Sequence, residues 1–448
     1  MKTILIGAGP TGLGAAYHLN KLGQSNWQFF ERGSRVGGLS ASFVDKSGFT
    51  WDIGGHVLFS HYDYFDKVVE TSLAGQYYEH MRESWVRILG DWVPYPFQNN
   101  VRYLPDDARD LCLTGLKNLP SDPATTKNFK EWMDAVFGEG IVKYFMDPYN
   151  RKVWATPPEL MSKDWIAERV SVVDLARIEK NIAEAKDDIA WGPNNMFKFP
   201  KQGGTGAIYN GIAQGFSEKI SLDHDLVEVD LEKKEVLFAN GARHPYDQLV
   251  STIPVDQLVA KCTNAPDEVR VAATQLVHNS AYVVGIGLKG HRQDTKCWMY
   301  FPEDNCPFYR VTNFHNYSPN NVPDGDIDNY FSLMCETSYS KHKPVSKDDI
   351  VEKTIQGLIN SGMINEDDRA NIVSRYLIDV PYAYPVPTTD RDDALAVIQP
   401  FLEFHEVYSR GRFGAWKYEV GNMDHSFMQG VEVVDRILSG VEERTFYG

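Results

Sequence analysis

The residues with the clearest chemical spacing are Gly7-Ala8-Gly9-Pro10-Thr11-Gly12. They follow a short apolar, β-branched run from Lys2 to Ile6 and precede Leu13, Ala16 and Leu19, which recur at helical spacing. The pattern predicts strand, tight turn, helix. Gly7 permits the turn, Gly9 lets backbone approach a pyrophosphate, and Gly12 allows close packing of helix on strand; the helix N-terminus offers N–H groups to phosphate. Trp27 to Phe30 reads as the next strand and ends at Glu31, about 20 residues beyond the glycines, where a carboxylate suits a ribose diol. Two later glycine pairs extend the pattern, Gly37-Gly38 before Leu39 and Ser40, and Gly54-Gly55 before His56. The chemistry this predicts is dinucleotide binding, against the plainer alternative that the glycines merely turn corners.

That spacing resembles the two-dinucleotide-binding flavoproteins related to amine oxidases. In that group the second glycine pair lies along FAD and a later glycine turn borders the isoalloxazine, so the resemblance implies FAD as the cofactor.

Other elements must position these residues. Ser84 to Leu89 and Trp92 to Tyr95 flank Gly90-Asp91 as a hairpin. From Asp106 to about Ala190 helical periodicity and start signals dominate, as in Phe129, Trp132, Met133, Val136 and Phe137. Phe197 to Phe199, Leu226 to Val229, Glu235 to Phe238 and Gln248 to Ile253 read as strands returning to the first sheet. Ala281 to Leu288, Trp298 to Phe301, Tyr309 to Phe314 and Tyr330 to Cys335 read as an antiparallel sheet, with a helix near Ile350 to Leu358 and a last one from His425 to Leu438. The expected fold is α/β: a Rossmann-like FAD-binding domain (residues 1–80, 195–256 and 400–448), an inserted helical-bundle domain (101–194) and an antiparallel β-sheet domain (81–100 and 257–399).

The 448 residues carry 45 basic and 61 acidic side chains, a formal net charge of −16, which disfavours nucleic acid and anionic membranes as partners. Any anionic ligand must then be held by a few local arginines. Five scattered cysteines without paired spacing argue against a disulfide framework or a zinc site and point to a reducing cytoplasm; no metal is expected. The apolar start is broken by glycines and Pro10, and no later run reaches the roughly 18 apolar residues of a membrane span. A soluble protein is expected, with homo-oligomerisation open. On composition and spacing alone the chain would be read as an oxidoreductase.

Longer strings narrow this. Gly54 to His61 (GGHVLFSH), Trp92 to Asn100 (WVPYPFQNN), Pro148 to Ala155 (PYNRKVWA), Tyr300 to Arg310 (YFPEDNCPFYR) and Gly411 to Asn422 (GRFGAWKYEVGN) resemble the UDP-galactopyranose mutases of the eukaryotic type, along the whole chain. The resemblance implies redox-neutral interconversion of UDP-galactopyranose and UDP-galactofuranose, through attack of reduced flavin N5 on the anomeric carbon, with reduced FAD as the active form and NADPH as reductant. A related UDP-sugar, such as UDP-arabinopyranose or UDP-N-acetylgalactosamine, and a flavin-dependent oxidoreductase are the alternatives.

The resemblance also implies residue roles. Arg169 and Arg310 would grip the diphosphate, and His56 would sit beside the flavin; these three are the implied catalytic residues. Tyr95, Phe97 and Gln98 would hold the uracil, and Asn150, Trp154, Asn194 and Trp298 the nucleotide and sugar side. Tyr300, Tyr317, Tyr384 and Tyr418 would offer hydroxyls to the diphosphate. FAD would lie against Gly7, Gly9, Pro10, Thr11, Gly12, Glu31, Arg32, Gly38, Leu39, Ser40, Gly54, Gly55, Gly421 and Asn422, with Arg82, Ser84, Arg412 and Ser426 serving flavin and NADPH.

Overall fold

The structure is a computed structural model that describes residues 1–166, 173–189 and 196–447. At its centre a five-stranded parallel sheet runs in the order Val407–Ser409, Gln248–Ser251, Thr3–Ile6, Trp27–Phe30, Ile220–Ser221. Its middle strand is buried throughout, as a sheet covered on both faces requires. Helix Pro10–Lys21 starts on an extended Gly9, with Pro10 at the first helical position, where its missing N–H costs nothing.

The long helix Met423–Ser439 crosses this first helix at backbone contact. A Cβ on Gly14 would lie 2.2 Å from the Phe427 carbonyl oxygen, and one on Gly430 would lie 2.0 Å from that of Thr11. Gln429 on the same helix accepts from the Gly411 N–H at 2.7 Å and donates to the Val420 carbonyl at 2.9 Å, fixing both ends of the loop between them. Just before that loop, the fully buried Arg410 donates through Nε and Nη2 to Glu443 at 2.6 and 2.7 Å, and through Nη2 to Glu403 at 2.5 Å. This clasp ties residues 441–447 to the sheet.

A seven-stranded sheet runs in the order Ile372–Val386, Val277–Lys289, Tyr330–Tyr339, Arg310–Asn313, Trp298–Tyr300, Ser84–Ile88, Asp91–Pro94. Alternation divides its faces. Met299, Val311, Leu333 and Cys335 pack against Ile350, Ile355 and Leu358 of helix Ile350–Asn360. Trp298, Tyr300, Arg310, Thr312 and Glu336 alternate with them and so belong to the other face. On this second face Gly285 and Gly287 carry the Trp51 and Phe49 rings, each 2.6 Å from where a Cβ would stand. The strand Thr50–Asp52, and the glycine turn after it, are thereby laid on the sheet.

Helices Asp106–Lys117, Phe129–Ile141, Asp147–Trp154 and Leu175–Ala183 form the helical layer, with a π-helical stretch at Val142–Met146. Three expectations are corrected. Leu226–Asp230 and Glu235–Phe238 do not return to the first sheet but form a separate three-stranded sheet with Arg243–Pro245, because short tight turns pair them with each other. Phe197–Phe199 lies within Met196–Pro200, which pairs with Tyr77–Met81. The large sheet is not purely antiparallel: Trp298–Tyr300 runs parallel to Ser84–Ile88. No helix among the described residues is long and apolar enough to cross a membrane.

Candidate active site

The glycine loop is held by its neighbours rather than by side chains of its own. Gly7 N–H donates to the Phe30 carbonyl at 2.8 Å, and Gly37 N–H donates to that of Ala8 at 2.8 Å. Gly7 adopts φ +94°, a left-handed conformation that L side chains rarely adopt, and a Cβ there would strike the Thr252 hydroxyl. Glu31 accepts from the Ala8 N–H through one oxygen and the Gly33 N–H through the other, each at 2.7 Å. It thus braces the loop while each oxygen keeps a lone pair for a ribose. Gly9 faces Gly38, whose Cβ would lie 3.0 Å from the Gly9 Cα, so this wall of the cleft is bare backbone. Thr11 and Ser40 are buried beside it, Leu39 is half-buried, and Arg32 is exposed.

Below the cleft Asp52, buried and unsuspected from sequence, accepts from the Ser42 hydroxyl, the Thr205 hydroxyl at 2.6 Å and the Thr205 N–H. Burial pushes its carboxyl up to about 6, against the pull of those bonds.

The second glycine turn meets the large sheet. Gly54 has φ +95° and its carbonyl accepts from the His56 N–H at 2.9 Å, while Gly55 N–H donates to Glu336 Oε1 at 2.9 Å. Glu336 also accepts from Arg310 Nε at 2.7 Å, Arg310 Nη2 at 2.5 Å and the Tyr309 hydroxyl at 2.9 Å. Burial would raise its pKa, and the Arg310 guanidinium outweighs that and holds it below the usual carboxylate range. Burial disfavours the charge on Arg310 likewise, but Glu336 lifts it well above its ordinary value. His56 is pushed down to about 4, chiefly by burial, with Arg310 and Arg412 adding to the fall and Glu336 opposing it. Its Nδ1 is buried without a hydrogen-bond partner in the protein.

Around this centre the structure gathers most of the expected polar and aromatic residues. The Arg310 and Arg82 guanidiniums lie 4.6 and 5.0 Å from the Trp298 ring centroid. Arg82 Nε donates to the Ser84 hydroxyl at 3.3 Å. Arg412 lies 4.9 Å from the Tyr384 ring and donates to the Gly421 carbonyl at 3.0 Å, and the Tyr384 hydroxyl meets that of Tyr309 at 3.2 Å. The rings of Tyr95 and Tyr300 stand 4.9 Å apart, and those of Trp154 and Tyr418 4.8 Å apart. Tyr317 is buried among Phe197, Phe199 and Phe314, its hydroxyl unpartnered and within electrostatic reach of Arg310 and Arg82.

The remaining expected residues lie as follows. The Phe97 ring is wholly buried in the helical core against Phe145, and Gln98 is buried beside it. Asn150 is engaged within its own helix, donating to the Met146 carbonyl at 2.7 Å and accepting from Trp154 Nε1 at 3.2 Å. Arg169 and Asn194 lie outside the described residues. Asn422 stands at the N-cap position of helix Met423–Ser439, its carbonyl accepting from the Ser426 N–H at 2.8 Å. Beside them Asp424 accepts from His61 Nδ1 and His425 Nδ1, each at 3.0 Å.

Sequence reasoning missed Glu336, Tyr309 and Asp52. One signal was available for Glu336: an acid inside the apolar run Tyr330 to Tyr339 must be paired if buried.

Side-chain-free backbone at the phosphate turn, a bracing acid at the ribose position and a buried imidazole nitrogen without a partner together fit FAD. The class so defined is an FAD-binding α/β protein of amine-oxidase type. Residues 10–438 match the family of flavin-containing amine oxidoreductases. Among solved structures, reduced UDP-galactopyranose mutase is 46% identical, with a TM-score of 0.96 over 100% of this chain and 96% of that one. A fatty acid isomerase from P. acnes (13% identical, TM-score 0.67, 98% of each chain) and a redesigned putrescine oxidase (15%, 0.67, 98% of this chain and 99% of that one) share the fold. The chain belongs to the flavin-containing amine oxidoreductases and, within them, to the UDP-galactopyranose mutase family.

Proposed function

We propose that the chain is an FAD-dependent isomerase, a UDP-galactopyranose mutase that interconverts the six- and five-membered ring forms of UDP-galactose. The observation that carries this is the 46% identity to the reduced mutase over the whole length of this chain. When bound and reduced, FAD supplies a nucleophile to the anomeric carbon with no net redox change.

The chain's own residues have to keep UDP in place while it is detached from the sugar. Arg310 suits this, because Nε and Nη2 face Glu336 and three N–H bonds remain for phosphate oxygens. Arg169 is its proposed companion. Tyr384 has its phenol pushed up by burial, so it remains a hydrogen-bond donor at neutral pH. Burial keeps the His56 imidazole neutral, so it offers one ring N–H as donor and one ring nitrogen as acceptor beside the flavin-side turn. Tyr95, Phe97 and Gln98 are the proposed holders of the uracil, and the Trp298 ring lies 4.6 Å from the Arg310 guanidinium and 5.0 Å from that of Arg82. NADPH is the proposed reductant, directed by Arg82, Ser84, Arg412 and Ser426.

The test is conversion of UDP-galactofuranose by anaerobically reduced protein, followed by chromatography. Conversion in the reduced state and none in the oxidised state is the expected outcome. UDP binding without conversion would indicate another UDP-sugar, and neither would return the chain to the oxidoreductases. Anaerobic bleaching of the flavin by NADPH tests the reductant.

A further inference from the structure

Glu336 belongs to no glycine motif and lies under the site rather than in it, yet it touches both halves. It is 3% exposed, and its two oxygens take four donors: the Gly55 amide, Nε and Nη2 of Arg310, and the Tyr309 hydroxyl. The Gly55 amide belongs to the flavin-side turn, and the guanidinium belongs to the phosphate side. A Cβ on Gly54 would stand 3.0 Å from Glu336 Oε2, so the turn rests on the carboxylate itself.

We propose that Glu336 is a positioning residue that sets how much of the Arg310 charge a diphosphate can use, and that holds Arg310 in register with the flavin-side turn. The proposal rests on the mutase reading and extends it. A buried arginine with a full counter-charge attracts an incoming anion less than a bare one does. Glu336 therefore weakens the grip on UDP. A reaction that must release UDP from the sugar, retain it, rejoin it and finally let the product go needs such a moderated grip. Two of the five guanidinium N–H bonds are committed to the carboxylate, and this leaves the outer edge of the fork facing ligand in one orientation.

Glu336→Gln keeps an acceptor for the Gly55 amide and removes the charge. Bound UDP then becomes the main counter-charge of Arg310. Titration of the FAD-loaded, oxidised protein with UDP is expected to show at least fivefold tighter binding than wild type. Turnover of UDP-galactofuranose is expected to fall at least tenfold in kcat, with KM unchanged or lower. The flavin midpoint potential is expected to rise, since a negative charge has been removed beside its binding turn. A purely structural Glu336 predicts the reverse pattern, with UDP affinity falling or unchanged and the potential unmoved, and that result overturns the proposal.

Tyr309→Phe is the second variant, and it decides the matter if the glutamine variant does not retain FAD. It leaves Glu336 charged and deprives it of one donor, so the carboxylate draws harder on Arg310 and UDP binding is expected to weaken two- to threefold; tighter or unchanged binding overturns the proposal. The two readings fail separately. Wild type that binds UDP without converting UDP-galactofuranose removes the mutase reading and leaves the UDP titrations to decide on Glu336. Wild type that binds no UDP overturns both.

Discussion

Arg310 and Glu336 stand directly opposite one another on neighbouring antiparallel strands, joined through both carboxylate oxygens with Nε 2.7 Å from Oε1 and Nη2 2.5 Å from Oε2. A directly opposed cross-strand pair shares one face of the sheet, so the ion pair follows from register alone. The partner that a diphosphate would seek is thus built into the sheet and not carried on a mobile loop.

Replacing that arginine has a double effect. Arg310→Ala removes the phosphate-binding fork and leaves Glu336 buried and unpaired, a change that costs about 3–5 kcal/mol of stability. UDP-sugar turnover is expected to fall by roughly three orders of magnitude while the flavin spectrum persists; intact turnover in a steady-state assay would sink the assignment.

Acid should loosen the fold in a defined window. His56 and His315 are both pushed down to about 4 in the folded chain by burial, from an ordinary value near 6.5. Between pH 6.5 and 4 the unfolded chain binds the protons that the folded chain refuses, so stability falls as pH falls through that range, by up to about 3 kcal/mol per histidine. Asp52, raised to about 6, opposes them over part of the same window, because its folded form takes up a proton first. Urea unfolding at pH 7 and pH 4.5 should show a lower midpoint at the acid pH, with a smaller difference in His56→Asn.

The clasp at the C-terminal segment should matter to the cofactor. Glu443→Gln removes the bidentate partner of a fully buried guanidinium that leads straight into Gly411 and Arg412. A loss of about 3 kcal/mol is expected, read as a lower melting temperature together with a lower flavin-to-protein ratio on purification. A melting temperature within a degree of wild type would show that Glu403 alone suffices for Arg410.

Gly38→Ala tests the bare-backbone wall. The new methyl would stand 3.0 Å from the Gly9 Cα at a φ of +52°, in the space assigned to the cofactor. The purified variant is expected to be colourless, with its helix content by circular dichroism unchanged. Full flavin occupancy would mean that FAD does not pass between these glycines.

The parts legible in the sequence are local ones. The glycine loop, its helix, the hairpin about Gly90-Asp91 and most strands of the large sheet show themselves through turn residues and periodicity within a few positions. Ile372–Val386 was not visible, since Pro381 and Pro385 and several polar residues break its pattern; it tolerates them as an edge strand, with one side free of ladder bonds. Glu336 was hidden for a different reason. Its importance depends on the register between two strands 26 residues apart, and nothing in either strand alone marks that pairing. Phe97 and Asn150 carry motif positions, but the burial of Phe97 beside Phe145 and the hydrogen bonds of Asn150 to Met146 and Trp154 come from packing that the motif does not display.

The contact of Gly14 with Phe427 and of Gly430 with Thr11 bears on biosynthesis. Each phosphate-loop helix contact spans more than four hundred positions, so the wall of the dinucleotide cleft is finished by a helix synthesised long after the glycine loop. A nascent chain carries Gly7 to Gly12 from the outset and still lacks a closed cleft until residue 430 has emerged. A cleft completed by contacts of such long sequence separation can take up its cofactor only after both distant segments have been made and have met.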